Sequence, residues 1–294
     1  MKGFYLAIIA LCVLGCQPKS TGIDLQAHRG GAGLMPENTV TSMKNALDMG
    51  INTLEMDLQI TSDGQVVVSH DNYFHHRCAI RPDGTPVLRG EPREYIYTMP
   101  YDSVAKYEVG LKPTERWPEK ALVSEHVPLA SDLLDFTESY ARQLGRPLPG
   151  YNIEIKSREG EGEGTLWPGY QEFCDTCIPL LLSKKLGRRL VVQTFDTRSM
   201  EYIHKHWPRV ALSFLTDEEP DIKAILAGIS FKPEWWSPNY AAVTPENVAY
   251  CHSLGIKVVP WTVDKPEDIL RMAECGVDAI ISNYPDRLLD LLGK

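Results

Sequence analysis

Short apolar runs alternate with longer amphipathic segments along most of this 294-residue chain. Short runs of this kind are typical of buried strands, and the longer segments are typical of helices that pack on a sheet. We predict eight strands, centred near residues 25, 55, 153, 192, 212, 237, 259 and 280, most of them separated by a helix. This order indicates an α/β fold, a (β/α)₈ TIM barrel. The count includes a strand at Trp235.

Residues 53–71 are predicted to form a hairpin whose turn contains Asp63-Gly64. Folding the second run back would place Val67 roughly opposite Asp57. A turn this short allows no crossover connection, so the returning run cannot be a parallel neighbour in the barrel. We therefore predict an extra antiparallel strand there. The next residues, 73–127, are rich in Pro, Arg, Tyr and Glu and indicate an insertion over one end of the barrel.

Glu55 and Asp57 lie two residues apart on the predicted second strand, so their carboxylates point to the same face. Two adjacent carboxylates repel each other unless a cation lies between them. A hard divalent cation, Ca²⁺ or Mg²⁺, suits such oxygen ligands. The hairpin would also bring His70 close to Glu55, adding an imidazole to the same point.

The N-terminal segment indicates export. An apolar run from Phe4 to Leu14 follows Lys2; it is too short to span a bilayer but suits a signal-peptide core. The run ends at Gly15-Cys16, which resembles the lipobox of bacterial lipoproteins. We predict a signal peptide over 1–16 with lipidation at Cys16, a tether over 17–23 and a barrel domain over 24–294; an ordinary signal peptide is the alternative. The lipid would anchor the protein to a membrane, and Gln17 favours the outer membrane.

Charge and cysteine content narrow the function classes. The net charge of -9, without a basic stripe, argues against a nucleic-acid partner. Cys174 and Cys177 have the C-x-x-C spacing of metal half-sites and redox pairs. No second such pair follows, and the two cysteines lie in the predicted amphipathic helix 170–186. We interpret them as buried helix thiols, with the redox or metal role as the alternative.

Titratable and polar residues collect where the predicted strands end, which is where TIM barrels build their active sites. Each has a structural interpretation, such as a loop histidine, a solvated strand face or a same-face ion pair, but together they favour a site. They are His28, Glu55, Asp57, Glu154, Lys156, Gln193 and Trp261, with His70 brought in by the hairpin.

The ordered set of motifs resembles the glycerophosphodiester phosphodiesterase family over about residues 26–289. The matching pieces are His28-Arg29-Gly30, Pro36-Glu37-Asn38-Thr39, Glu55-x-Asp57, Thr61-x-Asp63-Gly64, His70-Asp71, Glu154-Ile155-Lys156, Trp261-Thr262-Val263 and the closing run Gly276 to Pro285. Asn283 departs from the pattern, because many members carry Asp there. We expect it to touch a neighbouring loop or strand end, with little effect.

The resemblance implies metal-dependent hydrolysis of a small-molecule phosphodiester, such as glycerophosphocholine, to sn-glycerol 3-phosphate and an alcohol. By role, the implied residues are Glu55, Asp57 and Glu154 for a divalent metal, His28 and His70 for acid–base catalysis, and Arg29, Lys156, Gln193 and Trp261 for substrate or phosphate. The attacking group, water or the substrate's own hydroxyl, stays open. Glu37 is expected to brace the first loop. We expect one of two arrangements for the aromatic residues near the site, a wall of the substrate pocket or packing in the core. These residues are Trp261, Phe195 and Trp235.

Two other functions stay open. A phospholipase D-like enzyme acting on lysolipid or sphingomyelin would share these motifs, and hydrophobic residues in the insertion would favour it. A non-catalytic binding lipoprotein would have lost a histidine or a metal carboxylate. The Gly-rich segment 158–164 lies near the mouth of the predicted site, as a lid, a second cation site or, in our preferred interpretation, a flexible loop.

Overall fold

The computed structural model describes residues 22–217 and 221–293, where eight parallel strands form the barrel. The strands are β1 (Asp24–Ala27), β2 (Thr53–Ile60), β4 (Gly150–Ile155), β5 (Leu190–Thr194), β6 (Ala211–Thr216), β7 (Trp235–Pro238), β8 (Lys257–Val258) and β9 (Ala279–Ser282), with β3 (Val66–Val68) antiparallel to β2. Their order is β8-β7-β6-β5-β4-β2-β1-β9. The backbone nitrogen of Asp278 donates to Val258 O at 3.0 Å, which links β9 back towards β8. The predicted fold and all eight predicted strands are confirmed.

Helices separate most of the strands and cover the outside of the barrel. They are α1 (Val40–Met49), α2 (Tyr101–Val104), α3 (Ala130–Gln143), α4 (Tyr170–Ser183), α5 (Thr197–His206), α6 (Ile222–Gly228), α7 (Pro245–Ser253), α8 (Pro266–Glu274) and α9 (Pro285–Leu292). Thr39 caps α1 by accepting from the backbone nitrogen of Ser42, and Gly50 ends it in the left-handed conformation. The sequence did not lead us to predict α9. Among the described residues, no helix has the length and apolar character needed to cross a bilayer.

The alternation along β2 sets the direction of its side chains. Leu54, Met56 and Leu58 are fully buried in the main hydrophobic core. Because successive residues of a strand point to opposite faces, Glu55 and Asp57 face the barrel interior. One strand therefore supplies both the packing of the outer layer and two carboxylates of the inner one.

The predicted register of the hairpin is wrong by two residues. Val67 pairs with Gln59 and not with Asp57. The backbone nitrogen of Gly64 donates to Thr61 O at 3.0 Å, and Gly64 has φ +76°. This geometry belongs to a loop longer than a two-residue turn. The returning strand therefore pairs with residues that lie later in β2 than predicted. The antiparallel character of β3 agrees with the prediction.

Residues 73–127 form a layer over the hairpin. Phe74 and Tyr107 stack at 3.6 Å between ring centroids in a small core separate from the main one. At the other end of the layer, Trp117 packs with Ala32 and Tyr284, which belong to the loops after β1 and β9. The insertion is thereby fixed to the end of the barrel where strands β1 and β9 finish.

The signal peptide, Cys16 and residues 17–21 of the tether lie outside the described residues. These assignments stay predictions.

Candidate active site

Three acidic side chains meet inside the barrel. Asp57 of β2 pairs in register with Glu154 of β4, and Glu55 precedes Asp57 on the same face. All three are buried, and one carboxylate oxygen from each lies within 4.8 Å of the others. The parallel pairing of two neighbouring strands therefore brings together the three carboxylates that the sequence predicted.

The pKa values of the three carboxyl groups shift in different directions. Burial and the charge of Asp57 raise the pKa of Glu55 well above its usual value. Burial also raises the pKa of Glu154, against the opposing effect of Lys156. Burial alone would raise the pKa of Asp57, but His70, Lys156 and Arg29 lower it below its usual range.

This donor set fits a hard divalent cation. Asp57 Oδ1 is buried and accepts no hydrogen bond, with Lys156 Nζ 3.7 Å away, so this oxygen keeps its lone pairs free for a cation. The oxygens come from rigid, adjacent strands, and oxygen-only ligand sets are what Ca²⁺ and Mg²⁺ prefer. The structure thus contains an acidic triad able to hold a divalent ion.

Neighbouring side chains fix the orientation of the triad. The backbone nitrogen of Arg29 donates to Glu55 Oε2 at 2.7 Å, and Gln193 Nε2 donates to Glu55 Oε1 at 2.9 Å. Asn38 Nδ2 donates to Asp57 Oδ2 at 2.8 Å. The amide nitrogen of Gln193 thus donates to a carboxylate and supports Glu55. The role of Gln193 in binding phosphate stays a prediction.

Two cations lie against the carboxylates. Arg29 Nη1 lies 2.9 Å from Glu37 Oε1, and Arg29 Nε lies 3.3 Å from Asp57 Oδ2. The expectation that Glu37 braces the first loop is confirmed. Lys156 Nζ lies 2.9 Å from Glu154 Oε1. Burial disfavours the ammonium, but Glu154 and Asp57 outweigh it and raise the pKa of Lys156.

His28 is held through a chain of polar groups at the ends of neighbouring strands. Its Nδ1 lies 2.6 Å from Asn283 Oδ1, and Asn283 Nδ2 donates to Asp264 Oδ2 at 2.8 Å. Because the amide nitrogen faces Asp264, the amide oxygen faces His28 and can only accept. His28 therefore carries its proton on Nδ1, and Nε2, 4.0 Å from Glu55 Oε2, faces the triad.

The contact of Asn283 with His28 corrects one expectation from the sequence. Asn283 does meet the end of a neighbouring strand, but the residue it meets there is a candidate catalytic histidine. We therefore revise the expectation of little effect. Burial, together with the charge of Arg29, holds the pKa of His28 well below its usual value, so the imidazole is neutral.

His70 follows β3 and reaches the same cavity from the opposite side. Its Nδ1 lies 3.0 Å from Asp71 Oδ1. Gln59 Nε2 donates to the backbone oxygen of His70 at 3.2 Å, which ties the end of the hairpin to the barrel strand. Burial would raise the pKa of Asp71, but the hydrogen bond and charge of His70 lower it, so a carboxylate supports this imidazole.

These groups surround a cavity of about 160 Å³. An adjoining cleft of about 390 Å³ shares His70, Glu154, Lys156 and Phe195 with it. The lining of the cavity includes His28, Arg29, Glu55, His70, Arg116, Glu154, Lys156, Gln193, Phe195 and Trp261. Every predicted site residue thus lines the cavity, except Asp57, which lies beneath it among the buried carboxylates.

The aromatic wall consists of two rings and not three. Phe195 and Trp261 meet edge to face with 5.6 Å between ring centroids, and both line the cavity. Trp235 packs instead against Val259 and Ile281. It stands at the first residue of β7, so it lies away from the carboxyl ends of the strands, and its inclusion in the wall is wrong.

Four contributing residues were not predicted as site residues. Asn38 lies in the motif Pro36-Glu37-Asn38-Thr39, but no role in the site was predicted for it. Asn283 and Asp264 support His28, and Arg116 reaches the cavity from the insertion. The departure of Asn283 from the family pattern was the one available signal; for Arg116 the sequence offers none.

The Gly-rich segment is folded around a tryptophan. Trp167 Nε1 donates to the backbone oxygen of Arg158 at 3.0 Å, and a Cβ on Gly162 would lie 2.2 Å from the Trp167 ring. Glu163, the acidic residue in this contact region, pairs with Arg198 at 3.1 Å. The segment therefore packs on Trp167, and Glu163 shares its arginine with Asp196, 2.7 Å from Arg198 Nη2. The choice between a lid, a second cation site and a flexible loop stays open.

The cysteine pair is structural. Cys174 and Cys177 are fully buried on α4 and form no disulfide. Burial raises the pKa of the Cys174 thiol to about 12 and that of Cys177 well above its usual value. Thiols in this state are poor nucleophiles and poor metal ligands, which confirms the interpretation as buried helix thiols.

Comparison with known proteins identifies the family of the chain. The sequence model of the glycerophosphoryl diester phosphodiesterase family matches residues 28–287. A glycerophosphodiester phosphodiesterase of Caldanaerobacter subterraneus subsp. tengcongensis is 29% identical over 273 residues, which cover 91% of this chain and 97% of the relative.

Two solved structures extend the comparison to the fold. A crystal structure named as a putative glycerophosphoryl diester phosphodiesterase, from Silicibacter pomeroyi DSS-3, has a TM-score of 0.81 and 28% identity, covering 92% of each chain. A phosphodiesterase of Oleispira antarctica, in complex with the product sn-glycerol 3-phosphate, has a TM-score of 0.70 and 20% identity, covering 92% of this chain and 97% of that one. With the family model matching most of its length, this chain belongs to the glycerophosphoryl diester phosphodiesterase family.

Proposed function

We propose that this protein hydrolyses glycerophosphodiesters, such as glycerophosphocholine or glycerophosphoethanolamine, to sn-glycerol 3-phosphate and an alcohol, with the help of a divalent metal. One observation carries the proposal: a buried triad of carboxylates lies beside two histidines at one cavity. Membership of the family supports the reaction. The sn-glycerol 3-phosphate in the Oleispira antarctica relative supports the product.

Glu55, Asp57 and Glu154 would hold the ion, with Ca²⁺ and Mg²⁺ as the two candidates. When bound, a divalent ion supplies neutralisation of the charge on the phosphoryl oxygens. Lys156 adds a second positive charge at the cavity, and its ammonium has donors left beyond the contact with Glu154. Positioned cations of this kind stabilise the charge that develops in phosphoryl transfer.

The two histidines would divide the proton transfers. His28 is neutral with its proton on Nδ1, so Nε2 accepts the proton of the attacking hydroxyl as the new P–O bond forms. His70, supported by Asp71, gives a proton to the alcohol oxygen as the old P–O bond breaks. Each transfer contributes about 10²–10⁴-fold to the rate. The attacking hydroxyl belongs to water or to the substrate's glycerol; in the second case water then opens a cyclic phosphate.

The test measures sn-glycerol 3-phosphate released from glycerophosphocholine by protein lacking the first 20 residues, with added Ca²⁺ or Mg²⁺. We expect His28→Ala and His70→Ala each to lower kcat by about 10²-fold or more. His252→Ala is the matched control, because His252 also pairs with an aspartate, at 2.9 Å from Asp278, but does not line the cavity. Absence of glycerol 3-phosphate from every glycerophosphodiester, with either metal, would overturn the proposal.

A phospholipase D-like activity on lysolipid or sphingomyelin is the second candidate. The observation that favours it is the exposure of three insertion leucines: Leu88 is 54% exposed, Leu111 43% and Leu122 49%. Exposed apolar side chains on one segment are typical of surfaces that contact lipid. Cleavage of the lipids with glycerophosphocholine left intact would favour this candidate over the first.

We also propose that Cys16 is acylated and holds the enzyme on a membrane, with the outer membrane favoured. The support is the sequence around Gly15-Cys16, which lies outside the described residues. A Cys16→Ser variant should move from the membrane fraction to the soluble one, and mass spectrometry of the N-terminal peptide should lose the lipid mass. Equal distribution of both proteins would contradict the anchor.

A further inference from the structure

A group of cations from the insertion stands beside the catalytic cavity. Arg77, Arg116 and Lys120 line a narrow pocket of about 20 Å³ together with Arg29 and the carboxylates of Glu37 and Asp71. Arg29 and Arg116 also line the catalytic cavity, so the two spaces adjoin. The mechanism above uses none of the three cations from the insertion.

These three side chains form no ion pair among the described residues. Arg29 is paired with Glu37 and Asp57. Within residues 22–217 and 221–293, by contrast, no carboxylate lies within 4.0 Å of Arg77, Arg116 or Lys120. Arg77 and Arg116 are exposed, so water serves them, but Lys120 is buried. A buried ammonium without a counter-ion is costly, so the position of Lys120 needs a reason.

Burial affects Lys120, and neighbouring positive charges affect Arg116. Lys120 is only 8% exposed. Burial lowers the pKa of Arg116, and the neighbouring charges of Arg29 and Arg77 lower it further, against the opposing charge of Glu37. An anion bound among these groups would relieve the repulsion and replace the lost hydration.

The cations are held in place by the anchor of the insertion. Trp117 is buried against Ala32 and Tyr284, on the loops that follow β1 and β9. The Arg116 guanidinium lies 4.7 Å from the centroid of the Trp117 ring, and Lys120 Nζ lies 5.8 Å from it. The position of the cluster relative to the cavity is therefore defined by packing.

We propose that Arg77, Arg116 and Lys120 form a subsite for a second phosphate, carried by the alcohol portion of the phosphodiester. The inference rests on the proposed function and names its substrate class: glycerophosphodiesters whose alcohol is itself phosphorylated. The scissile phosphate would have its own partners in Lys156 and in a divalent ion held by the triad, which leaves the cluster for another anion. The pocket is narrow, so it receives the edge of a phosphate at Arg116 and not a whole headgroup.

The kinetic test uses two substrates that differ by one phosphate. The first is glycerophosphoglycerol, and the second is the same diester with a phosphate on the far primary hydroxyl of one of its glycerols. We expect wild-type kcat/KM to be about tenfold to a hundredfold higher for the phosphorylated substrate, as for hydrogen bonds to charged groups, and the preference to shrink at high salt. Arg116→Ala and Lys120→Met should each lose at least tenfold more on the phosphorylated substrate than on the other. Arg188→Ala, an exposed arginine away from the cavity, should keep the preference.

Two kinetic results would overturn the subsite. One is a wild type without the preference; the other is an equal loss on both substrates, which would assign the cluster to the scissile phosphate. Arg158→Ala checks the neighbouring cleft, and loss of the preference there but not in Arg116→Ala would also contradict the proposal.

A binding measurement separates the subsite from the proposed reaction. By calorimetry, wild type should bind glycerol 1,3-bisphosphate at least tenfold more tightly than glycerol 3-phosphate, and Arg116→Ala and Lys120→Met should bind the two more equally. This result without any hydrolysis would sustain the subsite and reject the proposed function. Hydrolysis of diesters by a protein that binds glycerol 1,3-bisphosphate and glycerol 3-phosphate equally would sustain the proposed function and reject the subsite.

Discussion

Replacement of Asn283 by alanine tests how His28 is held. The change removes the acceptor that lies 2.6 Å from His28 Nδ1 and the donor to Asp264 at 2.8 Å. His28 is buried, so no solvent replaces the lost acceptor. Without that acceptor the proton of the neutral imidazole is no longer held on Nδ1, and the tautomer with the proton on Nε2 becomes populated. That tautomer cannot accept the proton of the attacking hydroxyl.

The magnitude follows from the cost of an unsatisfied buried donor, about 1–3 kcal/mol. This cost is the free energy needed to restore the productive tautomer, and at 1.36 kcal/mol per factor of ten it corresponds to a fall in kcat of between about fivefold and about a hundredfold. KM should change little, because Asn283 does not line the cavity. Stability should fall as well, since Asp264 loses a partner.

The assay compares kcat and KM for glycerophosphocholine with the free energy of unfolding in urea. The matched control is Asn247→Ala, which removes a hydrogen bond of 3.1 Å to Ala242 O at the start of α7, away from the cavity. Nitrogen-15 NMR of the imidazole should show the Nδ1–H tautomer in wild type and a growing Nε2–H population in Asn283→Ala. A variant with wild-type kcat, or one with the wild-type tautomer and a reduced kcat, would refute the reasoning.

Two further predictions concern packing. Gly110→Ala should destabilise the insertion and lower activity, because its Cβ would lie 1.8 Å from Val123 O, whereas Gly228→Ala, with open space around the added carbon, should change the urea midpoint little; equal midpoints for the two variants would contradict the packing described here. At pH 8, Cys174 and Cys177 should resist alkylation by iodoacetamide in the native protein and react after unfolding, because burial raises the pKa of both thiols; peptide mass spectrometry of native samples, with rapid labelling of either residue, would count against this.

The sequence predicted the strands well because strand geometry is simple. In β2 a side chain has only two directions, so the apolar residues Leu54, Met56 and Leu58 determine where Glu55 and Asp57 point. In a parallel barrel the carboxyl ends of the strands also meet at one edge. The carboxylates, His28 and Lys156 could therefore be assigned to one site. The family motifs then supplied the candidate roles.

Contacts that depend on closure of the barrel could not be predicted from local pattern. His28 and Asn283 are 255 positions apart in the chain and meet because β1 pairs with β9. The engagement of Gln193 by Glu55 depends on a side-chain conformation that no periodicity encodes. Arg116 lies in an insertion with no regular apolar spacing, so its approach to the cavity follows only from the packing of Trp117.

The register of the hairpin failed for a related reason. The Asp63-Gly64 pair predicts a turn, but the number of residues in the loop sets the pairing of the strands. The longer loop moves Val67 to Gln59, while His70 still reaches the cavity because the chain continues past the end of β3.

The central claim is that Glu55, Asp57 and Glu154 hold one divalent ion on which hydrolysis depends. The direct measurement is a titration of chelated, metal-free protein with Ca²⁺ and, separately, with Mg²⁺, while the release of sn-glycerol 3-phosphate is followed and bound metal is counted. We predict background activity at the start, recovery that saturates at one ion per chain with at least one of the metals, and no recovery in Glu55→Gln. Full activity in protein shown to contain no metal would contradict the account.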